Sequence, residues 1–148
     1  MHQTFLDDLR AALGDKAVLT DPADCARYLT DWTGAFTGEA LAVLRPDTTE
    51  AVAAAVRICA AAGVAITPQG GNTGIAGGGV PVGPKPHILL SLDRLKRIRQ
   101  IDPAARSVTV EAGCVLQHLQ EAVAPEGLIY PLMFGARGSC TIGGNLST

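Results

Sequence analysis

The sequence predicts an α+β domain that opens on a strand–helix–strand unit and passes into a hairpin-bearing second half. Three observations carry this expectation. Ala40–Leu44 is an apolar run, a capped helical pattern follows it, and Val64–Thr67 returns as a second apolar run. Two closely spaced runs with a helix between them read as a βαβ unit with parallel strands. Further on, Ile98–Asp102 and Ser107–Glu111 flank the turn signal Asp102-Pro103-Ala104-Ala105, which reads as a β-hairpin. The chain has 148 residues, 47% of them hydrophobic and 18% charged, enough to bury a core.

Each element has its own warrant. Phe5, Leu6, Leu9, Ala12 and Leu13 share one face of a helix over Thr4–Leu13, which Gly14 ends. Ala17–Thr20 suits a brief strand, and Asp21–Leu29, with Pro22 early, suits a second short helix. Asp31–Gly38 is loop, with Trp32 read as a packed cover. Ala40–Leu44 stops at Arg45-Pro46 and suits a buried strand. Asp47 with Glu50 has the form of a capping box, Val52, Ala55, Val56 and Cys59 keep helical spacing, and Gly63 stands at the C-cap. Pro81, Pro84 and Pro86 make a rigid connector to an apolar strand, His87–Leu92. His87 has no identifiable partner, and Arg94, Lys96, Arg97 and Arg99 read as a solvated basic face. Val108, Val110 and Ala112 alternate with Thr109 and Glu111 as a half-buried strand. Val115, Leu116, Leu119, Ala122 and Val123 form a helix face with His118 on the polar side; Pro125-Glu126-Gly127 ends it and Leu128–Tyr130 begins a short strand.

Composition narrows the function classes. A net charge of −2 leaves no extended basic surface for nucleic acid. No signal peptide is visible at the N-terminus, and the most apolar stretch is alanine-rich and broken by Arg57, so no membrane span is expected. Cys25, Cys59, Cys114 and Cys140 form no Cys-x-x-Cys pair and have no histidine at ligand spacing. Free thiols in a reducing cytoplasm are expected, without disulfide or metal.

Two glycine clusters carry the candidate chemistry. Pro68-Gln69-Gly70-Gly71-Asn72-Thr73-Gly74-Ile75-Ala76-Gly77-Gly78-Gly79 leaves the carboxyl end of the second strand of the βαβ unit, where ligands of parallel sheets bind. Glycine admits close approach of a ligand, and successive free N–H groups make an anion-binding concavity. The apolar run that feeds the loop, and Ile75 within it, distinguish it from a flexible linker. No Gly-Lys-Ser/Thr is present, and the Gly-x-Gly-x-x-Gly register from Gly77 fails at Val82, so two common nucleotide folds are disfavoured. The second cluster, Gly135–Thr148, places Ile142 and Leu146 around Gly143-Gly144 and reads as a loop running into a helix N-terminus. Two such loops imply a ligand with an extended anionic centre, such as a pyrophosphate.

These motifs resemble a known family. Pro68–Gly74 with Gly77-Gly78 is similar to the first pyrophosphate loop of FAD-linked oxidases of the vanillyl-alcohol oxidase type, and Gly138–Leu146 to the second. Asp31-Trp32, Arg45-Pro46 and Val110-Glu111-Ala112-Gly113 also match, so the resemblance runs over roughly residues 28–148. The nearest subgroup is the FAD-dependent D-2-hydroxyacid dehydrogenases, which act on D-lactate, D-2-hydroxyglutarate or glycolate.

The resemblance implies a PCMH-type fold of two α+β subdomains clasping FAD: a small βαβ piece over residues 1–77, then a larger, mainly antiparallel subdomain begun over 78–148. It implies an N-terminal fragment, without the rest of that subdomain and without the substrate cap domain. Cofactor contacts are expected from Pro68, Gln69, Gly70, Gly71, Asn72, Thr73, Gly74, Gly77 and Gly78 in the first loop, and from Gly138, Ser139, Thr141, Gly143, Gly144 and Asn145 in the second. No residue of this chain is expected to be catalytic. Relatives that bind flavin covalently use a His where this chain has Asn72, so non-covalent FAD is expected. Cys140, at a second attachment point of some relatives, is expected instead to be a small, partly buried thiol beside the cofactor. A small 2-hydroxyacid is the implied substrate of the full-length protein, and the isolated piece is expected to self-associate through apolar surface. A stand-alone nucleotide-binding module and a cell-wall precursor reductase of the same superfamily are the alternatives.

Overall fold

In the computed structural model, which describes residues 2–84 and 86–147, the chain is an α+β structure with a first core split over the two faces of its main sheet and a separate second core. Helix α1 (His2–Leu13) leads through a 3₁₀ turn to β1 (Val18–Leu19), α2 (Pro22–Leu29), β2 (Ala42–Leu44), α3 (Thr49–Ala62) and β3 (Ala65–Gln69). Then follow β4 (His87–Ser91), the hairpin β5 (Ile98–Asp102) and β6 (Ser107–Val110), α4 (Leu116–Val123) and the short α5 (Ile142–Leu146).

The first sheet has the order β1-β2-β4-β3, with β2, β4 and β3 parallel and β1 antiparallel. Strands β2 and β3 are thus parallel, as the βαβ reading expects, but β4 lies between them. That strand comes from beyond residue 77, where the sequence places the start of a second unit. The apolar runs of β2 and β4 reflect burial on both faces. Ala42, Leu44, Ile88 and Leu90 pack with Phe5 and Leu9 of α1 and Ala55 and Cys59 of α3. Val43 and Leu89, on the other face, pack with Cys25 and Tyr28 of α2. Strand β3 is an edge, which is why Pro68, lacking an N–H, is accommodated within it.

Several local expectations shift. The N-cap of α3 is Thr48, whose Oγ1 accepts from the Ala51 amide at 3.1 Å, not Asp47. The Asp47 carboxylate instead pairs with Arg94 at 2.8 Å. Gly63 does close the helix, at φ 67°. Trp32 is 74% exposed and covers nothing. His87 finds a partner in Thr67, Nδ1 to Oγ1 at 3.3 Å.

The second core joins α4 to the hairpin: Cys114, Leu116, Leu119, Val123, Cys140 and Ile142 are buried together, with Ile98, Ile101, Val108 and Val110 against them. Leu128–Tyr130, expected to begin a strand, forms none. It is held by Gln120, whose Nε2 donates to the carbonyls of Tyr130 (3.2 Å) and Leu132 (2.7 Å).

Glu111 departs furthest from its sequence reading. It is buried, not a solvent-facing residue of an alternating strand, with 3% of its side chain exposed. Arg97 donates to it from its guanidinium at 2.9 Å and from its backbone N–H at 2.9 Å, and Arg99 donates at 3.1 Å. Arg99 also reaches Thr49 Oγ1 at 3.0 Å, at the start of α3. Part of the expected solvated basic face is therefore a polar joint between the two halves. The Arg97 side-chain bonds, then its amide, pull the Glu111 carboxyl down to about 2.

Candidate functional site

The first glycine loop grows out of the carboxyl end of β3 and is tied at its neck. Gln69 is 3% exposed, and its Nε2 donates to the carbonyls of Tyr28 and Gly79, each at 2.8 Å. Leu92 N–H donates to the Gln69 carbonyl at 2.9 Å. Asn72 holds φ 51°, the left-handed region that its short amide tolerates, and its Nδ2 donates to the Thr30 carbonyl at 2.9 Å. The side chains of Gln69 and Asn72 are therefore spent on the protein. The backbone is not: among the described residues, no amide from Gly70 to Gly79 donates a hydrogen bond to the chain.

The second cluster is fixed from behind by the second core. Thr141 pairs with Val115, Leu116 N–H donates to the Cys140 carbonyl (3.1 Å), and Ile142 N–H donates to the Cys114 carbonyl (2.9 Å). Cys140 and Ile142 are buried in that core, and Thr141 between them lines the opposite side.

The two clusters meet. Gly70 lies so close to the Thr141 hydroxyl, and Gly71 to the Ser139 carbonyl, that a Cβ on either would overlap its neighbour. Between them opens a cleft of about 560 Å³ lined by Asp31, residues 68–79, Phe134, Thr141, Gly144, Asn145 and Ser147. Of the expected site residues, Pro68, Gln69, Gly70, Gly71, Asn72, Thr73, Gly74, Gly77, Gly78, Thr141, Gly144 and Asn145 line it. Gly138, Ser139 and Gly143 do not. Ser139 bonds back to the Ala136 carbonyl (3.3 Å), and Gly143 N–H donates to the Ala112 carbonyl (2.8 Å). A Cβ on Gly143 would lie 2.8 Å from that of Ala112, so this glycine serves packing.

Two buried polar atoms of the cleft residues lack partners among the described residues: Thr141 Oγ1 and Asn145 Nδ2. Such atoms are costly unless something else pairs with them. The cleft holds no Lys or Arg. Its one titratable lining residue, Asp31, accepts from Thr33 Oγ1 (2.7 Å) and the Phe36 amide (3.0 Å). Those bonds, the Thr33 hydroxyl first, hold its carboxyl below the usual carboxylate range. Sequence reading noted Asp31 only as part of a motif, and missed Phe134 and Ser147 as lining residues. The exposed aromatic of an otherwise irregular stretch was the available signal for Phe134, which is 43% exposed.

A family model described as FAD binding domain matches residues 40–148. The chain belongs to this family of FAD-binding domains. Among its relatives is a D-2-hydroxyglutarate dehydrogenase of Xanthomonas citri pv. viticola, 41% identical over 95% of this chain and 29% of that protein. A mitochondrial D-2-hydroxyglutarate dehydrogenase of Danio rerio is 40% identical over 99% of this chain and 27% of that protein. The FAD-binding domain thus spans less than a third of the curated relatives it matches. In fold, a solved alkyldihydroxyacetonephosphate synthase superposes on the whole chain with a TM-score of 0.89 at 18% identity, over 29% of its own length. At that identity the likeness concerns fold alone.

The residues of the cleft fit an FAD diphosphate. A run of unpaired amides suits phosphate oxygens without a cation, and the orphaned hydroxyl and carboxamide sit on the facing wall. Among the described residues, no helix is long and apolar enough to cross a membrane, and no cluster of metal-ligating side chains occurs.

Proposed function

We propose that this domain supplies the pyrophosphate-gripping part of the FAD site in a dehydrogenase that oxidises a D-2-hydroxyacid to the 2-oxoacid. The observation that carries the reading is the shared cleft: one wall of unpaired amides from Gly70 to Gly79, and a facing wall with the unpartnered Thr141 Oγ1 and Asn145 Nδ2. The names of the relatives favour D-2-hydroxyglutarate as the substrate. Fold alone would not choose a reaction.

When bound, FAD supplies the electron acceptor at flavin N5. The residues of this chain bind and orient it. Gly70, Gly71, Asn72, Thr73 and Gly74 offer main-chain N–H groups to the diphosphate, with the Thr73 hydroxyl beside them. Thr141 and Asn145 offer their unpaired polar atoms from the other side. Oriented amide dipoles replace the water shell of the phosphates, so no counter-charge is needed. Asp31 is buried and already accepts two hydrogen bonds, so it is not the base. No residue in the cleft is assigned a proton-transfer role, and that chemistry belongs to the rest of the full-length protein.

The cofactor is held without a covalent bond in this reading. Asn72 has no nucleophile and its amide is committed to Thr30, while Cys140 is buried in the second core and does not line the cleft. The domain divides after β4, near Asp93, so that the first unit keeps its whole sheet, with residues 94–147 beginning the second. The exposed Ile129, Met133 and Leu146 support self-association of the isolated 148-residue chain. Four unpaired cysteines support a reducing compartment, whether cytoplasm or, as the name of the Danio rerio relative has it, mitochondria.

The test is the purified full-length polypeptide. It is expected to be yellow, to release its flavin into the supernatant on acid precipitation, and to bleach on D-2-hydroxyglutarate more readily than on D-lactate. A colourless protein that takes up no added FAD contradicts the cofactor assignment. Flavin retained in the acid pellet contradicts non-covalent binding.

A further inference from the structure

We propose that Gln69 is a positioning residue for the glycine loop: its carboxamide draws the two ends of the loop together and, with Asn72, pins the loop to the end of α2 so that its amides face the cleft. The inference rests on the FAD reading for its consequence, but not for its geometry.

Gln69 is the last residue of β3, and Gly79 is the last of the glycine loop. One Nε2 donates to Gly79 at 2.8 Å and to Tyr28 at 2.8 Å, so a single amide joins both ends of the loop to a third segment. Asn72 ties the loop a second time, to the Thr30 carbonyl at 2.9 Å, two residues beyond the first anchor. The anchors are backbone carbonyls at the end of a helix that packs on the sheet through Cys25 and Tyr28. That makes them rigid. The loop has no other side-chain tie among the described residues, and its own amides make no internal bonds. A loop this rich in glycine has many conformations, and holding its amides convergent before the ligand arrives reduces the ordering cost of binding. The two carboxamide nitrogens do that by donating to main-chain carbonyls of the protein.

The near-isosteric Gln69→Glu variant separates positioning from mere packing. A carboxylate there faces two carbonyl oxygens and donates nothing; a protonated carboxyl donates once. Burial against carbonyls raises the pH at which this group protonates above that of an ordinary Glu. In the wild type, Asp31 is the one titratable residue lining the cleft and stays ionised, and Tyr28 sends its hydroxyl away to Asp93. FAD affinity of the wild type is therefore expected to be level between about pH 5 and pH 8. Gln69→Glu is expected to bind FAD about tenfold or more weakly at pH 8, the cost of an unmet buried polar group, and to recover part of the loss by pH 5.

A second readout needs no cofactor. In ¹⁵N-glycine-labelled apo full-length protein, the cross-peaks of Gly70, Gly71, Gly74, Gly77, Gly78 and Gly79 are expected to move in Gln69→Glu at pH 8. They should return towards wild-type positions as the pH falls, while Gly14, Gly63 and Gly127 stay in place. If the loop glycines do not move, or if they move alike at every pH together with a general loss of stability, the clasp is wrong. If wild-type protein takes no FAD but the glycine peaks behave as described, the cofactor reading fails and the clasp stands.

Discussion

Gly71 and Gly74 lie in the same loop and carry opposite expectations. Gly71 touches the Ser139 carbonyl, so Gly71→Ala must push the two walls of the cleft apart. An overpacked contact of that kind costs about 1–3 kcal/mol, and thermal melting of the apo protein will show it. Gly74 has open space around it, and its backbone is not in the left-handed region. Gly74→Ala should leave apo stability within about 0.5 kcal/mol of wild type. Its Cβ enters the volume a ligand needs, so FAD affinity should fall all the same. Equal affinities for Gly74→Ala and wild type would argue against close approach of the ligand at this point.

Glu111 gives the residue scale its pH dependence. Its carboxyl titrates at about 2, against an ordinary value of 4.5, because Arg97 and Arg99 favour the charged form. A lowered value in the folded state means stability that is fully present above about 4.5 and is lost as the pH falls towards 2. The melting temperature of Glu111→Gln should lie below that of wild type at neutral pH, and the gap should close on acidification through that window. A gap that persists at pH 2 would show that packing, not charge, is responsible.

At the scale of elements, the cap of α3 offers a clean comparison. Thr48→Ala removes an N-cap acceptor and should cost about 1 kcal/mol in chemical denaturation. Asp47→Ala removes only an exposed pair with Arg94 and should cost less, about 0.5 kcal/mol. The reverse order would restore the capping box expected from Asp47 and Glu50. Asp47 and Thr48 are both good cap residues, and the one-residue choice between them depends on where the chain leaves β2. Periodicity sufficed for the helices, and apolar continuity sufficed for β2 and β4, because burial on two faces leaves a run with no polar interruption. It did not reveal that β4 enters between β2 and β3. Strand order depends on which partner gives the better-packed pair of faces, and the Val43–Leu89 contact with α2 is long-range. Glu111 was missed for a related reason: alternation places it on the exposed side of the expected strand, whereas β6 ends at Val110, and only the arrival of Arg97 and Arg99 makes its burial tolerable.

For the molecule as a whole, two cores that each hold one wall of the cleft make the site a product of both halves. The first wall stands on β3 and α2, the second on α4 and the hairpin, with the Glu111–Arg99–Thr49 chain bridging them. The glycine clusters were legible because a wall of unpaired main-chain amides set close against its neighbour writes itself in small residues. The clasping roles of Gln69 and Gln120 were not, since a glutamine in a motif looks the same whether it holds ligand or loop. All four cysteines are buried and unpaired, and burial pushes the Cys25, Cys59 and Cys114 thiols up. Native protein should react slowly with a disulfide-exchange reagent at pH 8, with all four thiols of this domain released only by denaturant. Fast reaction of any of them would place that thiol outside its core.

A crystal structure of the full-length polypeptide with FAD tests the central claim most directly. Both phosphate groups are expected against the amides between Gly70 and Gly79, with Thr141 Oγ1 and Asn145 Nδ2 paired by the ligand. FAD bound elsewhere, for instance in the groove between Thr37–Leu41 and Pro81–Pro84 with His87, with Thr141 and Asn145 still unpartnered, would contradict it.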